Sequence, residues 1–215
     1  MQNHDDNTID LEHAALVLIE FQREWLAPDG KMGAFVPEIG PFADAAARAA
    51  HLLAAARVAG LPVAHVGYQF RAGHPELGHA TLGLRKTLRE YDMFTGASAR
   101  FADGFEPRPD EFVVAGRLGV SAFAGSDLEG YLRNNRIERL YLAGFALQTC
   151  VESTLRDAHD RGYEAYVVED ATAAFSPEQR AYVLDQVLPL FGGRVTVDAL
   201  MAAMRTPVGI GHGAA

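Results

Sequence analysis

The chain has 215 residues, of which 49% are hydrophobic and 22% are charged, and its formal net charge is −9 at pH 7. This length and composition predict one soluble globular domain over residues 1–215 with a sizeable core. The negative charge disfavours a nucleic-acid-binding surface, and no apolar run approaches the roughly 20 residues of a membrane span. An acidic start and a single cysteine predict a cytoplasmic protein with a reduced thiol and a small-molecule substrate.

Strand-like apolar runs alternate with helical patterns along the chain. The predicted strands cover residues 14–21, 61–68, 112–115, 140–144, 165–169 and 195–197, and the predicted helices cover residues 42–59, 127–134, 150–161 and 177–191. The apolar runs are continuous rather than alternating, which is typical of strands covered on both faces. The pattern predicts an α/β fold with three α/β/α layers and a mostly parallel six-stranded sheet.

Three segments fall outside this pattern. Residues 69–110 are rich in Gly, Pro and Arg and show no clear strand, so we expect a long excursion over the rim of the active site. Residues 1–12 and 206–215 are expected to be loose ends. No Gly-rich loop with nucleotide-binding spacing is present in the sequence.

Three chemically active residues follow predicted strands. Glu20 ends the first strand, Arg117 follows the third, and Cys150 follows the fourth. Parallel sheets bind their ligands at the carboxyl ends of strands, so we expect these side chains to share one edge. A carboxylate at the end of an apolar strand is costly unless it has a partner or a function.

Cys150 is the only cysteine, and it lies where a buried strand gives way to a helix. A helix N-terminus offers free N–H groups and partial positive charge, which favour a thiolate and can hold an oxyanion. With Arg117 nearby, we expect the pKa of the thiol to lie below the roughly 8.5 of free cysteine. The alternative is a small buried core residue.

The segment around this cysteine resembles the nucleophile turn of the isochorismatase-like cysteine hydrolases. Residues 144–158 follow that family's Gly-(apolar)-x-x-x-x-Cys-Val-x-x-Thr-x-x-Asp-Ala, and Gly162-Tyr163 match the Gly-Tyr that comes after it. Residues 15–22 resemble its apolar strand ending in Asp-x-Gln, and residues 113–123 resemble its Lys-x5-Phe segment. Ser126-Asp127-Leu128 match the small-x-Leu that opens the next helix. The resemblance covers about residues 14–197.

The resemblance implies an isochorismatase-like, Rossmann-like fold and a triad of Glu20, Arg117 and Cys150. It implies that Glu20 is a general base, which takes the thiol proton and later hands one to the leaving amine. It also implies an oxyanion hole made of the backbone N–H groups of Ala146 and Cys150, with a cis bond between Phe145 and Ala146. The implied activity is metal-independent hydrolysis of a small amide, carbamoyl or ureido C–N bond through a thioester, with no cofactor and with self-association.

Two triad positions depart from the family, which has Asp and Lys where this chain has Glu20 and Arg117. The charge signs are kept, but the acid gains a methylene and the cation becomes a planar guanidinium that keeps its proton. A longer acid combined with a broader cation can span a distance similar to that of the family's Asp and Lys pair. In the alternatives, the two residues form an ion pair in a binding protein without turnover, or the enzyme cleaves another bond class such as the vinyl ether of isochorismate.

Histidines raise the question of a metal, because the nicotinamidase branch of the family carries an Asp-x-His…His site. His65, His74 and His79 could gather a divalent ion. No Asp-x-His lies near them, so the sequence predicts exposed or loop-packing histidines and no metal.

Aromatic residues flank the segments that end at the predicted active edge. They form either a substrate pocket or ordinary core, and they are Phe21, Trp25, Tyr68, Phe70 and Phe123. Gln22 and Trp25 lie close behind Glu20 in the sequence and are the better candidates for orienting a substrate.

Overall fold

The computed structural model describes residues 9–205. The strands within this range are Ala14–Ile19 (β1), Val63–Val66 (β2), Phe112–Val113 (β3), Arg139–Gly144 (β4), Glu164–Thr172 (β5) and Gly193–Val195 (β6). They form one sheet in the order β3-β2-β1-β4-β5-β6, in which every neighbouring pair is parallel. The predicted α/β fold with a six-stranded sheet is confirmed.

Helices cover both faces of this sheet. The α-helices of the described range are Arg23–Leu26 (α1), Gly40–Ala59 (α2), Gly83–Glu90 (α3), Leu128–Asn134 (α4), Glu152–Asp160 (α5), Pro177–Tyr182 (α6), Leu188–Phe191 (α7) and Val197–Arg205 (α8). Short 3-10 turns at Lys31–Phe35 and Pro75–Leu77 and π-helical turns at Leu147–Val151 and Val183–Val187 complete the connections.

The central strand β1 is buried along its whole length, because β2 and β4 flank it and helices cover both its faces. Helix α2 packs one side against the sheet through Phe42, Ala45, Ala49, Leu52, Leu53 and Ala56. This three-to-four-residue spacing is that of a single helix face. Gly60 ends the helix with φ +70°, a left-handed conformation that glycine adopts without strain.

Both predicted boundaries of the last strand are wrong. The sequence predicts a strand over 195–197, but β6 covers Gly193–Val195 and Val197 begins helix α8. The hydroxyl of Thr196 accepts the amide of Ala199 at 3.2 Å, and Asp170 accepts the amide of Val197 at 2.8 Å. These two bonds satisfy free amides at the start of a helix and outweigh the strand preference of the β-branched residues.

Residues 69–110, for which the sequence predicts a long excursion with no clear strand, contain helix α3 and two isolated bridges, one from Phe101 to Gln22 and one within the segment between Phe70 and Thr95. Their apolar side chains are buried in the core of the same chain, namely Phe70, Leu77, Leu88, Met93, Phe94 and Phe105. The spacing of these residues follows neither a helix nor a strand period, so periodicity does not predict their burial.

Part of the expected N-terminal loose end is attached to the sheet. The Tyr141 hydroxyl donates to the carbonyl of Asp10 at 2.9 Å, and Arg139 contacts the Asp10 carboxylate at 2.9 Å. Residues 1–8 and the whole of 206–215 lie outside the described residues. Within residues 9–205, every helix is too short or too polar to traverse a bilayer.

Candidate active site

The structure brings Glu20, Arg117 and the Cys150 turn together at the carboxyl edge of the sheet. Glu20 follows β1 directly and has φ +61°, which is unusual for a residue other than glycine. Its amide donates to the carbonyl of Val66 at 2.7 Å, so the end of β2 fixes this strained backbone. Strain of this kind at the end of a buried strand is typical of functional sites.

A glycine allows the nucleophile turn to approach Glu20. Gly144 ends β4 with φ +133°, and a Cβ atom there would lie 2.0 Å from the carbonyl oxygen of Ile19. The next amide, that of Phe145, donates to the same oxygen at 3.1 Å. Any side chain at position 144 would therefore push the Cys150 turn away from the end of β1.

Glu20 and Arg117 form a fully buried ion pair. Nη1 of Arg117 lies 2.9 Å from Oε1 of Glu20, and the two side chains are 0% and 2% exposed. The two atoms are not aligned as a hydrogen bond. Oε1 of Glu20 and Nη1 of Arg117 are therefore buried polar atoms that can each still form a hydrogen bond. The other carboxylate oxygen, Oε2, accepts the indole N–H of Trp25 at 2.9 Å.

Burial controls the protonation of the nucleophile. Cys150 is 2% exposed, and its burial together with the nearby charge of Glu20 raises the pKa of the thiol to about 12, although Arg117 acts in the opposite direction. The expected pKa below that of free cysteine is thus wrong. The helical segment begins at Leu147 rather than at Cys150, so Cys150 lies at the end of its first turn. Burial and the charge of Glu20 outweigh the effect of Arg117 on the thiol.

The raised pKa predicts a distinctive alkylation profile. In the free protein, the rate of Cys150 alkylation by iodoacetamide should rise about tenfold per pH unit between roughly pH 7 and 9, because only the thiolate reacts. Glu20→Gln removes the charge that raises the thiol pKa and should make alkylation faster at neutral pH. A wild-type rate that is already constant above pH 7 would contradict the structure.

The predicted oxyanion donors lie in the same turn. Within the described chain, the amide of Ala146 makes no backbone hydrogen bond, whereas the amides of Thr149 and Val151 both donate to the Ala146 carbonyl. The expected cis bond between Phe145 and Ala146 is absent, since every peptide bond of the described residues is trans. The free amide of Ala146 leaves one donor available for an oxyanion.

Residues that the sequence interpretation did not single out fasten the Arg117 loop to the Cys150 helix. The hydroxyl of Thr154 donates to the carbonyl of Cys150 at 2.7 Å and accepts the amide of Ala122 at 2.9 Å. Ser121 donates to Asp157 at 2.8 Å. The available signal was the family motif of residues 144–158, which has a threonine at the position of Thr154 and an aspartate at that of Asp157.

Most of the predicted pocket residues have structural contacts. The Gln22 side chain is buried, accepts the amide of Tyr68 at 2.9 Å and donates to the carbonyl of Tyr68 at 2.7 Å. Phe21 stacks on Phe105 with ring centroids 4.3 Å apart. Phe123 stacks on Tyr163 at the start of β5, which is the opposite end of the sheet from the candidate site.

Trp25 and Tyr68 are the two predicted pocket residues that contact the charged pair. Trp25 bonds Glu20, and the guanidinium carbon of Arg117 lies 4.0 Å from the centroid of the Tyr68 ring. Phe70 stacks behind Tyr68 with ring centroids 5.1 Å apart and does not reach the pair.

The three histidines do not converge. His65 lies within β2 and contacts Glu111 at 2.8 Å, His74 is buried and contacts the carbonyl of Met93 at 2.7 Å, and His79 is exposed. Burial lowers the pKa of His65. Among residues 9–205, no three ligand-type side chains gather as a metal site.

A cavity of about 450 Å³ opens beside the site, at the same edge of the sheet. Its wall includes Ala173, whose carbonyl accepts the Leu147 amide, and Phe175, whose ring lies 6.3 Å from that of Trp25. Glu20 and Cys150 are not among the residues that line this cavity.

Comparisons with known proteins show the family and the fold of this chain. The ureidoacrylate amidohydrolase of Methylobacterium radiotolerans is 28% identical over 206 residues, which cover 89% of this chain and 80% of that protein. An isochorismatase family protein from Burkholderia thailandensis aligns with a TM-score of 0.70 and 28% identity, over 93% of this chain and 98% of that one. A cysteine hydrolase structure from Pseudomonas syringae pv. phaseolicola has the same fold, with a TM-score of 0.77 and 21% identity over 92% and 94% of the chains. The Isochorismatase domain matches residues 14–199, and the chain belongs to the isochorismatase family.

Proposed function

We propose that this protein is a metal-independent cysteine hydrolase that cleaves a C–N bond of a small amide, carbamoyl or ureido compound. The observation that carries the proposal is the buried Glu20–Arg117 pair held beside the turn that presents the only cysteine. The relative from Methylobacterium radiotolerans is named for hydrolysis of ureidoacrylate, which supports the same bond class here.

In the proposed reaction, Glu20 removes the Cys150 proton as the sulfur attacks the substrate carbonyl. Proton removal during the attack suits a thiol whose pKa is raised, because the thiolate then forms only when the substrate carbonyl is in place. The C–N bond of the tetrahedral intermediate breaks, and the nitrogen leaves as ammonia with the proton that Glu20 carries. A thioester on Cys150 remains.

The second half returns the enzyme to its starting state. A water molecule attacks the thioester carbonyl while Glu20 takes its proton, and the C–S bond breaks. Cys150 leaves with that proton and the acid is released. The free amide of Ala146, with that of Cys150, stabilises the oxyanion in both halves.

Arg117 stays charged throughout. Burial alone lowers the pKa of the guanidinium, but the acidic groups around it, Tyr68, Glu20 and Cys150, outweigh this effect and raise the pKa above its usual value. Its charge stabilises the carboxylate and the developing thiolate. It neither takes nor gives a proton.

An ammonia-release assay on matched substrates tests this proposal. Primary amides, carbamoyl compounds and ureido acids should include at least one that releases ammonia, and dialysis against EDTA should leave the rate unchanged. Cys150→Ala, assayed in parallel, controls for contaminating activity. Hydrolysis of vinyl ethers alone, or a loss on chelation that zinc or iron restores, would reject the assignment.

We further propose that the protein acts in the cytoplasm and self-associates. Most of the large apolar side chains of residues 69–110 are buried within the chain. Leu82, at 83% exposure, and Tyr91, at 53%, remain at the surface of that segment. Self-association therefore rests chiefly on the family.

A further inference from the structure

The Arg117 side chain sits in a cradle of backbone carbonyls. Nε donates to Gly119 at 3.1 Å and to Ser121 at 3.3 Å, and Nη2 donates to the carbonyl of Val120. A guanidinium has five N–H groups in a fixed plane. With these three bonds made, Nη1 is the nitrogen left facing Glu20.

Tyr68 closes the cradle. The guanidinium carbon lies over its ring, 4.0 Å from the centroid, and the Tyr68 hydroxyl donates to the Gly119 carbonyl at 2.8 Å. The same carbonyl therefore binds both Tyr68 and Arg117. A cation held against an aromatic face is attracted to it and cannot rotate out of the plane that the face defines.

Tyr68 is itself held rigidly. Both backbone polar groups of Tyr68 bond the Gln22 side chain, which comes two residues after Glu20. The ring packs between Phe70 and Phe94, with centroids 5.1 Å and 5.3 Å away. Gln22 and Tyr68 thus connect the backbone that carries Glu20 to the guanidinium of Arg117.

We propose that Tyr68 is a positioning residue that fits the site to an arginine at position 117. This inference rests on the proposed function for its consequence in catalysis, but not for its effect on the thiol. A lysine has three N–H groups on a compact head, too few for the three carbonyls and Glu20 together, and it has no planar face to place against Tyr68. Replacing Tyr68 should therefore change the reactivity of Cys150 strongly when residue 117 is arginine and only slightly when it is lysine.

The test compares Tyr68→Leu in the wild-type and Arg117→Lys backgrounds. In the wild-type background, release of the guanidinium should slow Cys150 alkylation at pH 8 at least about fivefold, because less positive charge is held near the thiol. With lysine at 117, the same change should alter the rate less than about twofold. Tyr68→Phe keeps the ring and should stay within about threefold of the wild type.

Phe94→Leu is the matched control, since Phe94 packs on the Tyr68 ring without touching Arg117. It should leave the alkylation profile unchanged, which separates positioning from general loosening of the core. An equal effect of Tyr68→Leu in both backgrounds, or an equal effect of Phe94→Leu, would overturn the inference.

Alkylation needs no substrate, so the two proposals fail separately. If no amide is hydrolysed but the alkylation rates follow this pattern, the positioning role stands and the function is wrong. If a substrate is found, the Tyr68→Leu loss should appear in kcat more than in KM, since the guanidinium acts on the thiol and the carboxylate.

Discussion

Replacing Cys150 by alanine should lower kcat by at least about 10⁴-fold, because no other nucleophile remains to form the thioester. The substitution removes one buried sulfur atom and leaves Glu20, Arg117 and the turn in place. Substrate affinity, measured by calorimetry, should stay within about tenfold of the wild type.

Folding controls make this result interpretable. A small change at a buried position should lower the free energy of unfolding by no more than about 2 kcal/mol, and the melting temperature reports it. Cys150→Ser keeps a poorer nucleophile and should retain at most a trace of activity. Substantial turnover by Cys150→Ala would show that the thiol is not the nucleophile.

The second large effect concerns Glu20 and Arg117, which we expect to act as a unit. Glu20→Asp draws the carboxylate back from Nη1 of Arg117 and from the Trp25 indole, each of which now lies 2.9 Å away. Arg117→Lys leaves carbonyls of the cradle without donors. Each change should lower kcat/KM on the order of 100-fold, because the reaction is steeply sensitive to misplacement by about 1 Å.

The double variant restores the acid and cation types of the family and should recover part of the loss. The two losses are thus not additive, with an interaction energy of about 1–3 kcal/mol. Arg139→Lys is a matched control, since Arg139 pairs with Asp10 and Glu164 at the opposite end of the sheet and should tolerate lysine. Simple additivity of the Glu20 and Arg117 losses would refute the coupling.

The sequence predicted that the three site residues share one edge of the sheet, because parallel strands all end at the same edge. Apolar runs separated by helices imply a parallel sheet, and residues that follow such strands share one edge, as Glu20, Arg117 and Cys150 do. The glycine at 144 was visible as part of a motif. Its physical role, the 2.0 Å approach to Ile19, emerged only from the packing.

The direction in which the thiol pKa shifts could not be predicted, because it depends on how deeply Cys150 is buried. The sequence showed the cations that favour a thiolate, but not the 2% exposure that disfavours it. The same difficulty affected Gln22 and Phe123. Proximity in sequence to the active edge does not reveal that one side chain bonds the Tyr68 backbone or that the other stacks at the far end of the sheet.

The most direct test of the covalent mechanism is intact-protein mass spectrometry after acid quench of the enzyme turning over a saturating amide or ureido substrate. The mechanism predicts a species heavier by the substrate minus ammonia, with the adduct mapped to Cys150 and absent from Cys150→Ala. An adduct on another residue, or ammonia release at the full rate with no acyl group on Cys150 at any quench time, would contradict it.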